Sequence, residues 1–251
     1  EFENKKITGI LTVVPKNTIK FDDEIENYNF SEKQCKKLKL IMGYEEKRVI
    51  DGSACSSDLC EYGMNYLFEN NLLKKDEIDA LVMVTQSPDY FMPATSNILH
   101  GKLGLKKDIV CLDICQGCCG YIIGLIQSFM LLEQKSINKV VLLNADVLSP
   151  KVSKRDRNSN PLIGDGASVT IIEKSDKNEK IAEAIGEKIK KGSTGLYGKG
   201  MYSNQDKLIL VCAAPRSDIA KIKELARDID SHCFIILSNA REVFGEGFKT
   251  E

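Results

Sequence analysis

The stretch IVCLDICQGCCGYIIGLIQSFMLL, residues 109–132, decides the reading of the chain. Its first six residues form a short apolar run of the kind a strand buried on both faces requires. Gln116 and Gly117 then make a turn, and from about Cys118 or Cys119 onward the apolar residues have no polar face. A helix of that composition is expected to be buried. The reading is therefore a strand, a buried turn and a buried helix, with Cys118 where the helix opens. A thiol at that place meets unpaired N–H groups and the positive end of the helix dipole, and both favour thiolate over thiol. Apolar burial acts in the opposite sense, and position on the helix decides the outcome. Gly117 and Gly120 carry no side chains and are read as room for a substrate to approach.

Outward from this segment, strands and helices alternate. ITGILTVV (7–14), LVMVT (81–85), VVLLNAD (140–146) and ASVTIIE (167–173) read as further strands. Helices are predicted over 31–42, ended by Gly43, over 56–71, near 96–103, and over 120–134. This order predicts an α/β fold with a parallel or mixed sheet. After about residue 174 the texture changes. EKIAEAIGEKIKK predicts a helix stopped by Gly192, and Gly195, Gly198 and Gly200 break up the stretch beyond it. LILVCA (208–213) is a strand, Ser217 is placed to cap a helix, and CFIIL (233–237) closes the pattern. Counting strand 168–173, which either unit can claim, this is the order of a ferredoxin-like α+β domain. The boundaries predicted are 1–173 and 174–251.

Composition narrows the function. The 35 basic and 36 acidic residues nearly cancel, which gives no support to a nucleic-acid or membrane-surface partner. No apolar run of about 18 residues suggests a membrane span, and the start has no signal-like core. Nine unevenly spread cysteines do not read as a disulfide framework, so a reducing cytoplasm is expected. Two other readings of Cys111, Cys115, Cys118 and Cys119 stay open: small buried hydrophobes, and a cluster site of CxxxCxxC spacing. A strand over 109–114 holds Cys111 and Cys115 about 13 Å apart, at roughly 3.3 Å per residue, which argues against the cluster.

Three motifs carry a resemblance: LDICQGCCGYIIGL (112–125), TQSPDYFMPATSNILHGKLGL (85–105) and DRNSNPLIGDGAS (156–168). Over about residues 5–173 the chain resembles the N-terminal half of a β-ketoacyl-acyl-carrier-protein synthase III, an acyltransferase of fatty acid biosynthesis with the thiolase fold. The resemblance implies that Cys118 takes an acyl group from a coenzyme A or carrier-protein thioester, with no cofactor or metal. Its N–H would then contribute to an oxyanion hole. It also implies that Arg157 contacts the adenine of coenzyme A and that Met92 reaches into a partner's acyl pocket. Gly164, Asp165 and Gly166 become the turn beside the site, and a homo-oligomer is expected.

The second half of such an enzyme, with its histidine and asparagine, has no counterpart. The two histidines, His100 and His232, lack the family's surroundings and read as surface or helix-end imidazoles. Residues 174–251, including GKGMYS (198–203) and REVFGEGF (241–248), instead resemble the soluble C-terminal domain of YitT-type bacterial membrane proteins. Three functional readings are open. One is thioester transfer through Cys118 with impaired condensation. The second is a small-molecule-binding or regulatory module in the C-terminal domain, and the third is a chimeric chain without activity.

Overall fold

Five apolar runs pair into one sheet in the computed structural model, which describes residues 2, 4–175, 177–201 and 205–239. The chain divides into two units, Glu1–Lys174 and Ser175–Glu251. In the first, the strands are β1 (Lys5–Val13), β2 (Thr18–Lys20), β3 (Glu46–Arg48), β4 (Ala80–Val84), β5 (Val110–Ile114), β6 (Lys139–Asp146) and β7 (Gly166–Lys174). The helices are α1 (Phe21–Glu24), α2 (Glu32–Met42), α3 (Ser56–Glu69), α4 (Thr95–Leu103) and α5 (Gly120–Leu131). The main sheet runs β1-β7-β6-β4-β5. β4 is parallel to β5 and β6, while β7 is antiparallel to both β6 and β1.

β4 lies between parallel neighbours, and all five of its residues are buried. Its side chains alternate as a pleated strand requires. Leu81 and Met83 join the core beneath α3 and α4, with Cys60, Met64 and Leu99. Ala80, Val82 and Val84 join the opposite core, against which Tyr121, Leu125 and Phe129 of α5 pack.

Helix α5 lies directly on the strands because its contact stripe is small. A Cβ at Gly120 would stand 2.6 Å from Val84 Cγ1, and one at Gly124 would stand 2.7 Å from Leu142 Cδ1. Two expectations are corrected here. Gly120 is a packing glycine whose space is filled by Val84, not room for a substrate. The helix is also not buried all round: Ile122, Ile123, Ile126 and Met130 are 40–55% exposed. An apolar helix is covered on both sides only between two layers, and this sheet supplies one.

At the opposite edge, Asp79 ties three strands together. Its carboxylate accepts from Lys106 Nζ (2.7 Å), the Asn138 amide (2.7 Å) and the Lys139 amide (3.1 Å). Burial disfavours its charge, but these donors together outweigh burial and hold the carboxyl below its usual range. A depressed folded-state pKa gives stabilisation that is complete above the unfolded value of about 4 and is lost as pH falls through the folded value. Unaltered and Asp79→Asn proteins should therefore differ most in urea stability at neutral pH and converge in acid. A gap that stays constant into strong acid would contradict this.

The second unit holds α6 (Lys177–Ala184), continued by a π-turn over Ile185–Ile189, then a hairpin of β8 (Ser193–Gly200) and β9 (Gln205–Cys212), and α7 (Ile219–Ile229). Ile181, Ile185, Leu225 and Ala226 form its core. Strand 168–173 pairs within the large sheet as part of β7. The helix stop falls at Lys190, in the left-handed region at φ 58°, rather than at Gly192, and Asp218 instead of Ser217 precedes α7. The three glycines read as breakers lie inside β8, where a Cβ at Gly195 would come within 2.9 Å of Leu208. Residues 233–237 are not assigned to a strand, although Cys233 and Ile235 pack on the core while Phe234 and Ile236 face outward. REVFGEGF and part of GKGMYS lie outside the described residues. Among the described residues no helix is long and apolar enough to cross a membrane.

Candidate active site

In α/β sheets, ligands bind at the carboxyl ends of parallel strands. Here Val84 ends β4 opposite both Ile114 of β5 and Asn144 of β6, and Asp146 stands opposite Gly166. One edge thus gathers the residues after β4 (Thr85–Ser87), those after β5 (Cys115–Cys119), the end of β6 (Asp146) and the Gly164–Gly166 turn.

Cys118 sits in the turn joining β5 to α5. The Gly120 amide donates to the Gly117 carbonyl at 2.7 Å, closing that turn, and Cys119 is the N-cap of the helix. Cys115, Cys118 and Cys119 are all exposed, which corrects the expectation of a buried turn. The correction has the same cause as the open face of α5: one layer, not two, borders the edge. Among the described residues, the Cys118 amide donates to no protein acceptor. Gln116 Nε2 donates to Cys119 Sγ at 3.3 Å, so Cys119 is the partnered thiol of the pair.

The strand before the turn is anchored by Asp113. Its carboxylate accepts the amides of Thr95 (2.7 Å) and Ser96 (2.9 Å) and so caps α4 from the neighbouring element. Cys111 lies opposite Leu81 and packs on the α3–α4 core. Burial, and then the Asp113 charge, push its thiol up. Cys111 therefore belongs to the core and not to the exposed group. Among the described residues, no three His, Cys, Asp or Glu side chains are gathered as a metal site.

Gly117 does not face open space. A Cβ there would come within 3.1 Å of Gln86 Oε1. Gln86 is itself held by Asp146, which accepts the Gln86 amide (2.7 Å), Gln86 Nε2 (3.1 Å), the Ser87 amide (3.1 Å) and the Thr85 hydroxyl (3.1 Å). Neither Gln86 nor Asp146 stands out in the sequence. The available signal was a lone acid closing the apolar run VVLLNAD.

Asp165 of the GDG turn is 5% exposed. It accepts the amides of Ile50 (2.7 Å), Leu148 (2.8 Å) and Ser149 (2.9 Å), so it acts as a clamp between loops. The loop between β6 and this turn carries Arg157, whose guanidinium carbon lies 4.8 Å from the centroid of the Phe30 ring. That loop is tethered at Asn160, which donates to Glu24 Oε1 (2.9 Å) and to the Tyr28 hydroxyl (2.7 Å). Lys47 completes the group, 3.0 Å from Glu24 Oε2. Burial, above all, pushes the Tyr28 and Tyr44 phenols up to about 12, so both stay neutral; Tyr28 donates to Glu24 Oε2, whereas the Tyr44 hydroxyl has no partner among the described residues. Met92 lies 87% exposed in the loop after β4. His100 makes a 2.9 Å hydrogen bond with the Lys106 carbonyl beyond the end of α4, and His232 pairs with Ser231 in the second unit. No hydrogen bond or ring contact joins Arg157, Met92 or His100 to Cys118 among the described residues.

The mixed sheet with this strand-to-helix turn is the thiolase-like fold of the synthase III structures that the chain resembles. The family of 3-oxoacyl-acyl-carrier-protein (ACP) synthase III matches residues 112–188, and an uncharacterized family conserved in bacteria, DUF2179, matches residues 191–245. A Campylobacter jejuni protein assigned as a 3-oxoacyl-acyl-carrier-protein synthase 3 is 37% identical over 222 residues, covering 87% of this chain and 59% of that protein. A β-ketoacyl-acyl-carrier-protein synthase III of Caldanaerobacter subterraneus is 30% identical, covering 64% and 46% of the two chains. Among solved structures, a 3-oxoacyl-(acyl-carrier protein) synthase of Burkholderia xenovorans superposes with a TM-score of 0.65 at 28% identity, over 70% of this chain and 50% of the other. The enzyme of Aquifex aeolicus shares the fold, with a TM-score of 0.61 at 24% identity over 69% and 55%. The chain is thus similar to part of a synthase III, with a match that runs past the end of the first unit, and to DUF2179 over residues 191–245. The chain spans about half the length of the curated relatives it matches.

Proposed function

We propose that Cys118 accepts an acyl group from a coenzyme A or carrier-protein thioester, as the first half-reaction of a synthase III. The carrying observation is its position: an exposed thiol at the opening of α5, beside an amide with no protein acceptor among the described residues. The Cys118 sulfur attacks the thioester carbonyl, and the oxyanion is received by the Cys118 N–H. Collapse expels the carrier thiolate, which takes the proton Cys118 gave up, leaving an acyl-cysteine and a free carrier thiol. Attacking and leaving groups are both thiolates, so the exchange is near balance and needs no strong base.

In this reading Arg157, stacked on Phe30, offers a flat cationic surface to the nucleotide end of coenzyme A. Met92, exposed in its loop, is available to a second protomer. The Gly164–Gly166 turn borders the thiol edge, with Asp165 as its internal clamp. The exposed apolar face of α5 supports a homo-oligomer, and the setting is the cytoplasm, within fatty acid synthesis. Incubation with acetyl-coenzyme A should add one acetyl mass to the intact protein, mapping to the Cys118 peptide. A fully folded protein that acquires no acetyl group would refute the proposal.

A further inference from the structure

We infer that Gln86, held in place by Asp146, is a positioning residue for the Cys118 turn. This goes beyond the proposed function but rests on its choice of Cys118 as the reacting group.

β4 lies between β6 and β5 at the reactive edge, so a side chain leaving the end of β4 can touch the end of one neighbour and the turn after the other. Gln86 does so. On one side its Nε2 donates to Asp146 Oδ2 at 3.1 Å. On the other its carbonyl oxygen and carbon fill the space in front of Gly117, 3.1 and 3.5 Å from where a Cβ would be. Gly117 is the residue before Cys118, and its carbonyl closes the turn by accepting the Gly120 amide. The place of the thiol therefore depends on where the Gln86 amide lies.

Asp146 divides its work between two oxygens. Oδ1 holds the backbone of the loop through the Gln86 and Ser87 amides, at 2.7 and 3.1 Å, with the Thr85 hydroxyl at 3.1 Å. Among the described residues, Oδ2 receives only the Gln86 side chain. Asp146→Asn can therefore keep the loop through an oxygen in the Oδ1 position while presenting an NH2 group to Gln86 Nε2. Two donors then face each other, and Gln86 must turn or leave. This variant separates positioning from folding.

The test measures alkylation of Cys118 by iodoacetamide, with Cys212, a partly exposed thiol of the second unit, as the internal reference. Peptide mass spectrometry gives both rates in one sample. Gln86→Ala and Asp146→Asn should each slow Cys118 on the order of tenfold, the scale expected when a reacting group shifts by a fraction of an ångström to about 1 Å. Cys212 should keep its rate. A role confined to stability would leave the ratio unchanged. Direct contact makes a second prediction: Gly117→Ala should lower the melting temperature less in the Gln86→Ala background than in the unaltered one. An unchanged Cys118:Cys212 ratio in both folded single variants, or strict additivity of the Gly117 and Gln86 changes, overturns the inference. If the unaltered protein takes up no acyl group while these responses hold, the proposed function fails and the positioning role stands.

Discussion

Glu24→Ala is expected to destabilise the N-terminal unit by about 3–5 kcal/mol, the cost of stranding one member of a buried ion pair. The Glu24 and Lys47 side chains are only 6% and 9% exposed, and their charged atoms lie 3.0 Å apart. Removing the carboxylate leaves the Lys47 ammonium with the Asn160 carbonyl, 2.8 Å away, as its remaining acceptor. It also frees the Asn160 amide group and the Tyr28 hydroxyl from Glu24. These groups join α1, the antiparallel β2–β3 pair and the loop that carries Arg157. The loss should appear as a lower urea midpoint and faster proteolysis within residues 149–165. A change below about 1 kcal/mol would place the pair among interactions that contribute little net stability.

The second large effect concerns carbon–carbon bond formation. Condensation needs groups that hold a carbanion and the oxyanion it attacks, and losing one such donor costs about 10²–10³ in rate. His100 is engaged with the Lys106 carbonyl, and His232 belongs to the other unit. With malonyl-coenzyme A and an acylated Cys118, this chain alone should form β-ketoacyl product at no more than about a hundredth of its rate of acyl uptake. Chromatography of the released thioesters measures this. Product forming as fast as acylation would show that the missing half of the site is not required.

The large sheet was legible because its strands are short, apolar and bounded by polar turns. LVMVT and VVLLNAD differ from β4 and β6 by a residue at each boundary at most. Ser31 and Gly43 flank α2 as read, with Gly43 left-handed at φ 70°. Burial was misjudged where it depends on what lies outside the segment. The apolar α5 sequence cannot say that one of its faces lacks a covering layer. Gly120 and Gly117 read as openings because a glycine in sequence does not reveal whether Val84 or Gln86 fills its space. Gly195 was taken for a breaker although it makes room for Leu208 within a strand. The strand-to-helix turn that holds Cys118 was legible through its motif. The Asp146–Gln86 link was not, since it joins single polar residues 60 positions apart.

One comparison bears most directly on the account: peptide-mapped mass spectrometry of the unaltered and Cys118→Ser proteins after exposure to acetyl-coenzyme A. The account predicts an acetyl group on the 118 peptide of the unaltered chain and none on the variant, although Cys115 and Cys119 remain nearby and exposed. Equal acetylation of the variant at Cys115 or Cys119, with Cys118 unmodified in the parent, would contradict it.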